Sequence, residues 1–191
     1  MRKIMVCLMM LVATASVASA KEGFYIGAQV PYNMIGGDFD DKTAPKYDPG
    51  TGIGLIAGYT FPINLAVEVD VARSTHSWKS SGYTGTDALA EISLNGKYSF
   101  IVSNEFQPYL LAGVGSFVIS TKDWATNNTE TLSGTGVNAG VGADYYFTPN
   151  VSAGLGVIQK FITYDKWSAG TLNKNIKGDT TSIRFDVAYH F

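Results

Sequence analysis

Residues 183–191 of the chain read Ile-Arg-Phe-Asp-Val-Ala-Tyr-His-Phe, with large apolar side chains at odd positions and charged, small or polar ones at even positions. A period of two residues predicts a β-strand with one apolar face and one polar face. The stretch ends on an aromatic residue, Phe191, whereas the last residues of a soluble domain usually fray. A strand that closes a membrane barrel would end in this way, because its aromatic end would lie at the lipid headgroups. These nine residues therefore predict a transmembrane β-barrel.

The N-terminus has the features of a secretory signal peptide. Arg2 and Lys3 form a basic start, residues 4–17 are mostly apolar, and Ala18-Ser19-Ala20 is a small-residue cleavage site. The apolar run is too short for a membrane-spanning helix of roughly 20 residues. We therefore expect export through the Sec route, cleavage after Ala20, and a barrel domain at residues 21–191.

The composition of residues 21–191 narrows the class of protein. Its single cysteine, Cys7, lies in the leader, so no disulfide is expected in the mature chain. Loss of Arg2 and Lys3 reduces the 14 basic residues to 12 against 16 acidic ones, and no basic stripe indicates nucleic-acid binding. No later apolar run reaches the length of a membrane helix. The 21 Gly, 11 Tyr and 10 Phe favour strands and turns in one domain.

Eight segments have the character of β-strands, each roughly as long as a tilted transmembrane strand of about 9–11 residues. Residues 158–162 interrupt the alternation, and we expect a β-bulge there. The eight segments are 23–35, 51–61, 64–74, 88–100, 108–119, 136–147, 151–164 and 180–191.

The connections between these segments alternate in length. Three are short, at residues 62–63, 101–107 and 148–150. Four are long and polar, at 36–50, 75–87, 120–135 and 165–179. This alternation is typical of outer-membrane barrels, which have short periplasmic turns and long extracellular loops. The predicted fold is an all-β, eight-stranded antiparallel up-and-down barrel.

Aromatic residues collect at the predicted periplasmic rim. Such a girdle anchors a barrel at the membrane–water interface. A thinner set, Phe117, Phe161 and Tyr164, is expected at the opposite rim. Besides Tyr189 and Phe191 in the last strand, the predicted girdle consists of Phe24, Tyr59, Phe61, Tyr98, Phe100, Tyr109, Tyr145 and Phe147.

Alternation alone does not say which face of the sheet is inside, because a soluble eight-stranded barrel shows the same pattern with its apolar face inward. Glycine decides the question. It weakens a strand on a solvated face, but it makes room inside a narrow eight-stranded barrel. The glycines that share the polar face include Gly52, Gly54, Gly58, Gly140 and Gly142. The polar face is therefore predicted to be the lumen.

Charged residues on the glycine face become candidate lumen residues. An unpaired buried charge is costly, so these side chains should pair across the lumen. A packed network that plugs the barrel is favoured over a polar ion pathway, because eight strands leave little space. The predicted lumen network is Glu68, Asp70, Glu91, Lys97, Asp144, Lys160, Arg184 and Asp186.

Several stretches carry a family resemblance. They are residues 23–27 (GFYIG), 108–115 (PYLLAGVG) and 137–143 (VNAGVGA), together with the signal peptide and the closing Phe191. With these features the chain resembles small Gram-negative outer-membrane β-barrel proteins of the OmpA/OmpX/OmpW type. The likeness implies that Phe185, Val187, Tyr189 and Phe191 form a signal that the barrel assembly machinery reads. Because the sequence ends with this strand, we do not expect the appended wall-binding domain of the longer relatives.

This resemblance, with the residue pattern, leads to a functional expectation. The chain should be a monomer in the cell outer membrane, surrounded by its lipids, with four loops that support envelope integrity or contact an extracellular ligand or host surface. A narrow channel for small or hydrophobic molecules is the alternative. A lipid A-modifying enzyme is the less favoured third reading.

Candidate chemistry outside the lumen is weak, and no catalytic residue, cofactor or metal site is predicted. The pair His76-Ser77 suggests a base and a nucleophile, but adjacent residues on a strand point to opposite faces. A dinucleotide-binding fingerprint lies in the turn between a strand and a helix. Gly52-Ile53-Gly54 and the following residues instead lie within one predicted strand, so we reject this motif. The acidic loop at 36–41 lacks the EF-hand pattern.

Overall fold

A computed structural model describes residues 22–40, 46–80, 83–122, 129–170 and 175–191 of the chain. The predicted signal peptide lies outside the described residues. These described residues form nine strands and one short 3₁₀ helix, Asp38–Asp40. In the described part of the chain, no helix has the length and apolarity needed to cross a membrane. The strands are β1 Gly23–Gly37, β2 Lys46–Tyr47, β3 Gly50–Thr60, β4 Leu65–Ser80, β5 Tyr83–Ser99, β6 Phe106–Lys122, β7 Thr129–Thr148, β8 Val151–Trp167 and β9 Ile176–His190.

Eight of the strands close into an antiparallel ring. Its order is β4-β3-β1-β9-β8-β7-β6-β5, and β5 pairs back onto β4. The first and last strands therefore meet, with Tyr25 opposite His190 and Gly37 opposite Gly178. Closure leaves no long open edge. The predicted eight-stranded up-and-down barrel is confirmed, and β2 is a short addition paired with the upper part of β4.

The two ends of the ring differ. The short-turn end carries the connections 61–64, 100–105 and 149–150, and both chain termini of the barrel. The long-loop end is built largely of strand, because β4 to β8 continue well beyond the predicted segments. The predicted loop at 75–87 was wrong in this respect, since Thr75 to Lys79 pair with Thr84 to Ala88. Much of the predicted loop 120–135 is paired in the same way, from Ser120 with Thr131 to Lys122 with Thr129.

The faces of the sheet are as the glycine argument predicts. Valine, leucine and isoleucine side chains such as Ile53, Leu94 and Leu155 lie more than half exposed on the outer surface. The inner face carries the charged residues and glycines. Tyr25 fills the space over Gly58, where an added Cβ would lie 2.5 Å from the tyrosine Cζ. The glycine thus makes room for a large inward side chain.

Three predictions were wrong: one residue of the aromatic girdle, two residues of the opposite rim, and a β-bulge. Tyr109 is only 2% exposed and points into the lumen, so it does not belong to the girdle. Phe117 and Tyr164 are also buried inside, and of the predicted opposite rim only Phe161 faces outward. The expected bulge at 158–162 is absent, because β8 alternates without a break there. The irregular pairings of β8 with β7 occur instead at Ser133/Gly134 and Tyr146/Thr148.

The lumen is layered along its axis. Next to the short-turn end, Tyr25, Ile56, Ala66 and Ala188 form a small apolar cluster. The ionic residues occupy the middle. Towards the long-loop end a second apolar cluster fills the ring, with Phe39 of the 3₁₀ helix packed against it. Its buried members are Leu89, Phe117, Ile119, Ile162 and Tyr164.

Candidate functional site

All eight predicted lumen charges are buried, and their side chains come from five strands of the ring. Inward positions on β4, β5, β7, β8 and β9 place them at the middle of the barrel. They divide into one large cluster and one separate pair. The large cluster is Glu68, Asp70, Lys97, Asp144, Arg184 and Asp186, and the pair is Glu91 with Lys160.

Arg184 is the centre of the large cluster. Its Nη1 donates to Glu68 Oε1 at 2.9 Å and lies 3.3 Å from Asp70 Oδ2. Its Nε lies 3.2 Å from Asp186 Oδ1. The guanidinium thus joins β9 to β4 across the lumen, and its rigid fork of donors suits several carboxylates at once.

Lys97 is the second cation of the cluster. Its Nζ lies 3.1 Å from Asp144 Oδ2 and 3.6 Å from Glu68 Oε2. The same ammonium sits 5.2 Å from the centre of the Tyr25 ring and 5.1 Å from that of Tyr109, close enough for cation–π attraction. Tyr25 also donates its hydroxyl proton to Glu68 at 2.8 Å.

The separate pair lies nearer the long-loop end. Lys160 Nζ donates to both oxygens of Glu91, at 2.7 Å and 2.6 Å. This contact joins β8 to β5. Together with the Arg184 cluster it places ion-paired side chains across the middle of the lumen.

Sequence reasoning missed the uncharged members of the network. Asn95 donates to Asp70, and Asn138 donates to Asn95 Oδ1 at 3.2 Å. Tyr25 and Tyr109 complete the packing around Lys97. The signal for the asparagines was the strand period, because each occupies an inward position on β5 or β7. A search limited to charged residues does not find them.

The predicted pair His76-Ser77 is split by the strand. His76 is buried in the lumen and Ser77 is exposed on the outer face. His76 Nε2 instead lies 2.9 Å from Ser74 Oγ, which accepts a hydrogen bond from Asn33 at 2.9 Å. All three side chains are about 1% exposed.

A cluster of aromatic residues around Asp87 lies at the long-loop end. We use "clasp" for Phe39, Tyr47, Trp78, Asp87 and Tyr164. The Phe39 ring meets those of Tyr47 and Tyr164 edge-on, with centroids 5.7 and 5.8 Å apart. Asp87 accepts from the Tyr47 hydroxyl at 2.6 Å and from Trp78 Nε1 at 2.9 Å. Burial, aided by the hydrogen bond to Asp87, raises the pKa of Tyr47 above its ordinary value.

A cavity of about 370 Å³ lies beside the clasp. Its apolar walls come from Ile119, Leu132 and Ile176, and Trp167 lies at its edge. Tyr47, Thr121, Glu130 and Thr131 supply polar groups. Within the described residues, no group of three or more His, Cys, Asp or Glu side chains is arranged to hold a metal ion.

The predicted girdle, apart from Tyr109, forms paired rings at the short-turn end. Phe24 meets Tyr59 with centroids 4.8 Å apart, and Tyr98 meets Phe100 at 5.1 Å. The residues of the predicted assembly signal all face outward, three of them on β9 and Phe191 directly after it. Tyr189 and Phe191 are in edge contact at 5.1 Å, while Phe185 and Val187 continue the row towards the middle of the barrel.

Three comparisons with known proteins agree with this architecture. The family model described as "Outer membrane protein beta-barrel domain" matches residues 4–191. Outer membrane protein PagN of Salmonella typhimurium is 30% identical, over 76% of this chain and 77% of that protein.

Solved structures share the fold at low sequence identity. Neisserial surface protein A (NspA) aligns over 91% of this chain and 99% of its own, with a TM-score of 0.66 and 18% identity. Ail, the attachment invasion locus protein of Yersinia pestis, aligns over 89% of this chain and 99% of its own, with a TM-score of 0.57 and 16% identity.

Proposed function

Because this chain belongs to the outer-membrane β-barrel family, we propose that it is a closed barrel that presents its long-loop end to ligands or host surfaces outside the cell. The protein resides in the Gram-negative outer membrane, as its family and its relatives indicate. In outer-membrane barrels the short turns face the periplasm and the long loops face the exterior. The long-loop end is therefore the surface available to an extracellular partner.

The ion pairs across the lumen are the observation that carries this proposal. Arg184, Lys97 and Lys160 each bind carboxylates on other strands, and the clasp lies towards the long-loop end. These contacts favour a plugged barrel over a conducting one. The described part of the long-loop end offers the strand extensions and the cavity beside Tyr47 to a partner.

Relatives support an interaction role. Ail has been crystallised in complex with the heparin analogue sucrose octasulfate, and its name describes attachment and invasion. A cavity of about 370 Å³ with aromatic and hydroxyl groups falls within the size range of small-ligand sites. We include envelope integrity within the same proposal, since a closed barrel adds no leak to the membrane.

Adhesion of cells that display the protein tests the proposal. A non-adherent host expressing the chain should bind cultured epithelial cells or immobilised heparin above the level of the empty host. A matched control replaces residues 122–129 with a two-residue turn between Thr121 and Glu130, which are paired neighbours, so the register below is kept. Equal binding by the empty host, the wild type and the trimmed barrel would contradict the proposal.

The channel alternative has its own test. The purified barrel in planar bilayers should show no steady conductance, because the ionic network and the clasp both block the lumen. Sustained single-channel steps from the wild-type protein would favour a conduit instead.

We also propose that the chain is not an enzyme. His76 contacts buried Ser74 rather than Ser77, and neither side chain reaches the lipid face. Mass spectrometry should therefore find identical lipid A in cells with the wild type, with His76→Ala and with no barrel. A lipid A species that depends on the wild type and disappears with His76→Ala would overturn this view.

A further inference from the structure

The outer face of β4 changes from apolar to polar at Arg73, which is itself exposed. In order from the short-turn end, the outward residues before and after it are Val67, Val69, Val71, Thr75, Ser77 and Lys79. An arginine on a lipid-facing strand is costly near the bilayer midplane but not near the interface, where its long side chain reaches the headgroups. The border therefore puts the guanidinium at the headgroups of the outer leaflet.

The guanidinium of Arg73 has no ionic partner in the part of the chain that the structure describes. By contrast, Lys79 on the same strand lies 3.7 Å from Asp48. The residues directly opposite Arg73 are Ile53 on β3 and Ala90 on β5, and neither side chain can accept a hydrogen bond. An exposed arginine with apolar neighbours is available to an anion, and its rigid fork of donors suits a phosphate.

A row of hydroxyl groups lies beside Arg73 on the outer surface. Thr75 is the next outward residue of β4 and is paired with Thr51 of β3, which is paired in turn with Tyr32 of β1. All three side chains are exposed. A hydroxyl both donates and accepts hydrogen bonds, so this row can bind phosphate oxygens and sugar hydroxyls alike.

A groove of about 620 Å³ lies beside Arg73 on the lipid-facing surface. Ala90 is paired with Arg73 on one side and with Val118 on the other, so its small side chain leaves a depression between two longer ones. The apolar side chains that line the groove from the outer face are Ile53, Leu55, Val71, Ile92 and Val118. A hydrocarbon chain would make many dispersion contacts with such a lining.

The β8–β9 side of the ring has a different border. Counted from the short-turn end, the first charged outward residue of β9 is acidic, Asp179. Its carboxylate accepts from Gln159 Nε2 at 3.4 Å, and Gln159 Oε1 accepts from the Thr181 hydroxyl at 2.6 Å. These polar groups are paired with one another, and the carboxylate repels a phosphate. The charge pattern thus favours an anion on the β3–β5 side.

We propose that Arg73 binds a phosphate of lipid A, the phosphorylated glycolipid of the outer leaflet, and that an acyl chain of the same molecule lies in the groove. Each part of this lipid has a matching surface: the guanidinium for the phosphate, the hydroxyls of Thr51 and Thr75 for the sugar, and the groove for the chain. A phosphoglycerolipid would leave the hydroxyl row without a sugar. This binding is separate from the extracellular partner proposed above.

Native mass spectrometry of the mature protein in a non-ionic detergent counts bound lipids directly. We would titrate diphosphorylated lipid A, the same lipid with its phosphates removed, and phosphatidylglycerol. The wild type should bind the diphosphorylated form about tenfold more tightly than the dephosphorylated one, because a charge-assisted contact is lost. Phosphatidylglycerol should bind more weakly than lipid A. Equal affinity for the two forms of lipid A would overturn the proposal, and phosphatidylglycerol binding as tight as that of lipid A would overturn the choice of lipid.

Three variants with outward substitutions make the test specific, and heat-modifiable migration on a gel shows that each is folded. Arg73→Gln should weaken the binding of diphosphorylated lipid A about tenfold. The matched control Lys79→Gln removes the same charge from a lysine already paired with Asp48, so affinity should stay within about twofold. Ala90→Phe keeps the charge but fills the depression, and should weaken binding severalfold. Unaltered affinity in Arg73→Gln or Ala90→Phe, or equal losses in Arg73→Gln and Lys79→Gln, would contradict the proposal.

Discussion

At the scale of single residues, the Lys160–Glu91 pair is the simplest contact in the lumen, because each charge has one opposite partner. Glu91→Gln leaves a charged Lys160 buried without a counter-ion. We expect this change to cost about 3–5 kcal/mol in the free energy of unfolding. Replacing both residues, by Glu91→Leu with Lys160→Met, should recover most of that loss because no isolated charge remains. Urea titration of the three proteins in lipid vesicles measures both effects.

The comparison has a clear contrary outcome. A double variant that loses as much stability as Glu91→Gln, or more, would mean that the two charges do not act as a pair.

The lipid-facing surface is also decided residue by residue. Val187 is 45% exposed on the outer face of β9, within the apolar band. Val187→Lys should destabilise the barrel by about 2–4 kcal/mol, the cost of a lysine near the bilayer midplane. Val102→Lys is a matched control in the short turn after β5, where the valine is 60% exposed, and there we expect a change within about 0.5 kcal/mol. Equal losses at the two sites in an unfolding titration would contradict the assigned faces.

At the scale of elements, β2 is held to the barrel by the clasp rather than by its two residues of pairing. The raised pKa of Tyr47 means that the folded form favours the neutral hydroxyl. The stabilisation is therefore complete below the unfolded pKa of about 10 and is lost as the pH rises above it. We expect β2 to detach at high pH while the ring stays closed, which hydrogen exchange at residues 46–47 would detect.

Tyr47→Phe serves as the control for this prediction. It lacks the titrating group, so the protection of the β2 amides, relative to the exchange rate of an unfolded peptide at the same pH, should not fall further as the pH passes 10. The same pH profile in wild type and Tyr47→Phe would assign the opening to another residue.

The elements also show which parts of the structure were readable from the sequence. Period-two alternation was sufficient for the strands at 51–61 and 180–191, because one face of each meets lipid along its length. It failed for 75–87. There His76, Trp78 and Asp87 alternate with polar residues rather than with apolar ones that face lipid, so the stretch resembles a polar loop. Inward Tyr109 was read as a rim aromatic because its sequence position suits either role. What decides its direction is Gly142 and Gly156 on other strands, which a single strand does not reveal.

At the scale of the whole molecule, the ring is closed by strands from opposite ends of the chain. Phe191 N donates to Phe24 O at 2.9 Å, so the two ends of the barrel are adjacent. A circular permutant with a short linker from Phe191 to Gly23 and new ends between exposed Ser103 and Asn104 should refold in detergent. Its heat-modifiable migration on a gel should match that of the wild type.

A second permutant provides the comparison. New ends between Val137 and Asn138 interrupt β7 in the middle of the sheet, and this protein should not refold. Failure of both permutants would mean that chain order, and not only the final pairing, is needed for closure.

The lumen contacts of Arg184 and Lys160 have a mechanical consequence. Arg184 connects β9 to β4, and Lys160 connects β8 to β5, so each bond spans three places around the ring. Ion pairs between distant strands of the ring resist changes in the shape of its cross-section. Lateral pressure from a curved or crowded membrane would flatten an unbraced ring of eight strands. This barrel should instead keep its shape, and the positions of its outer strand ends with it, when the bilayer around it changes.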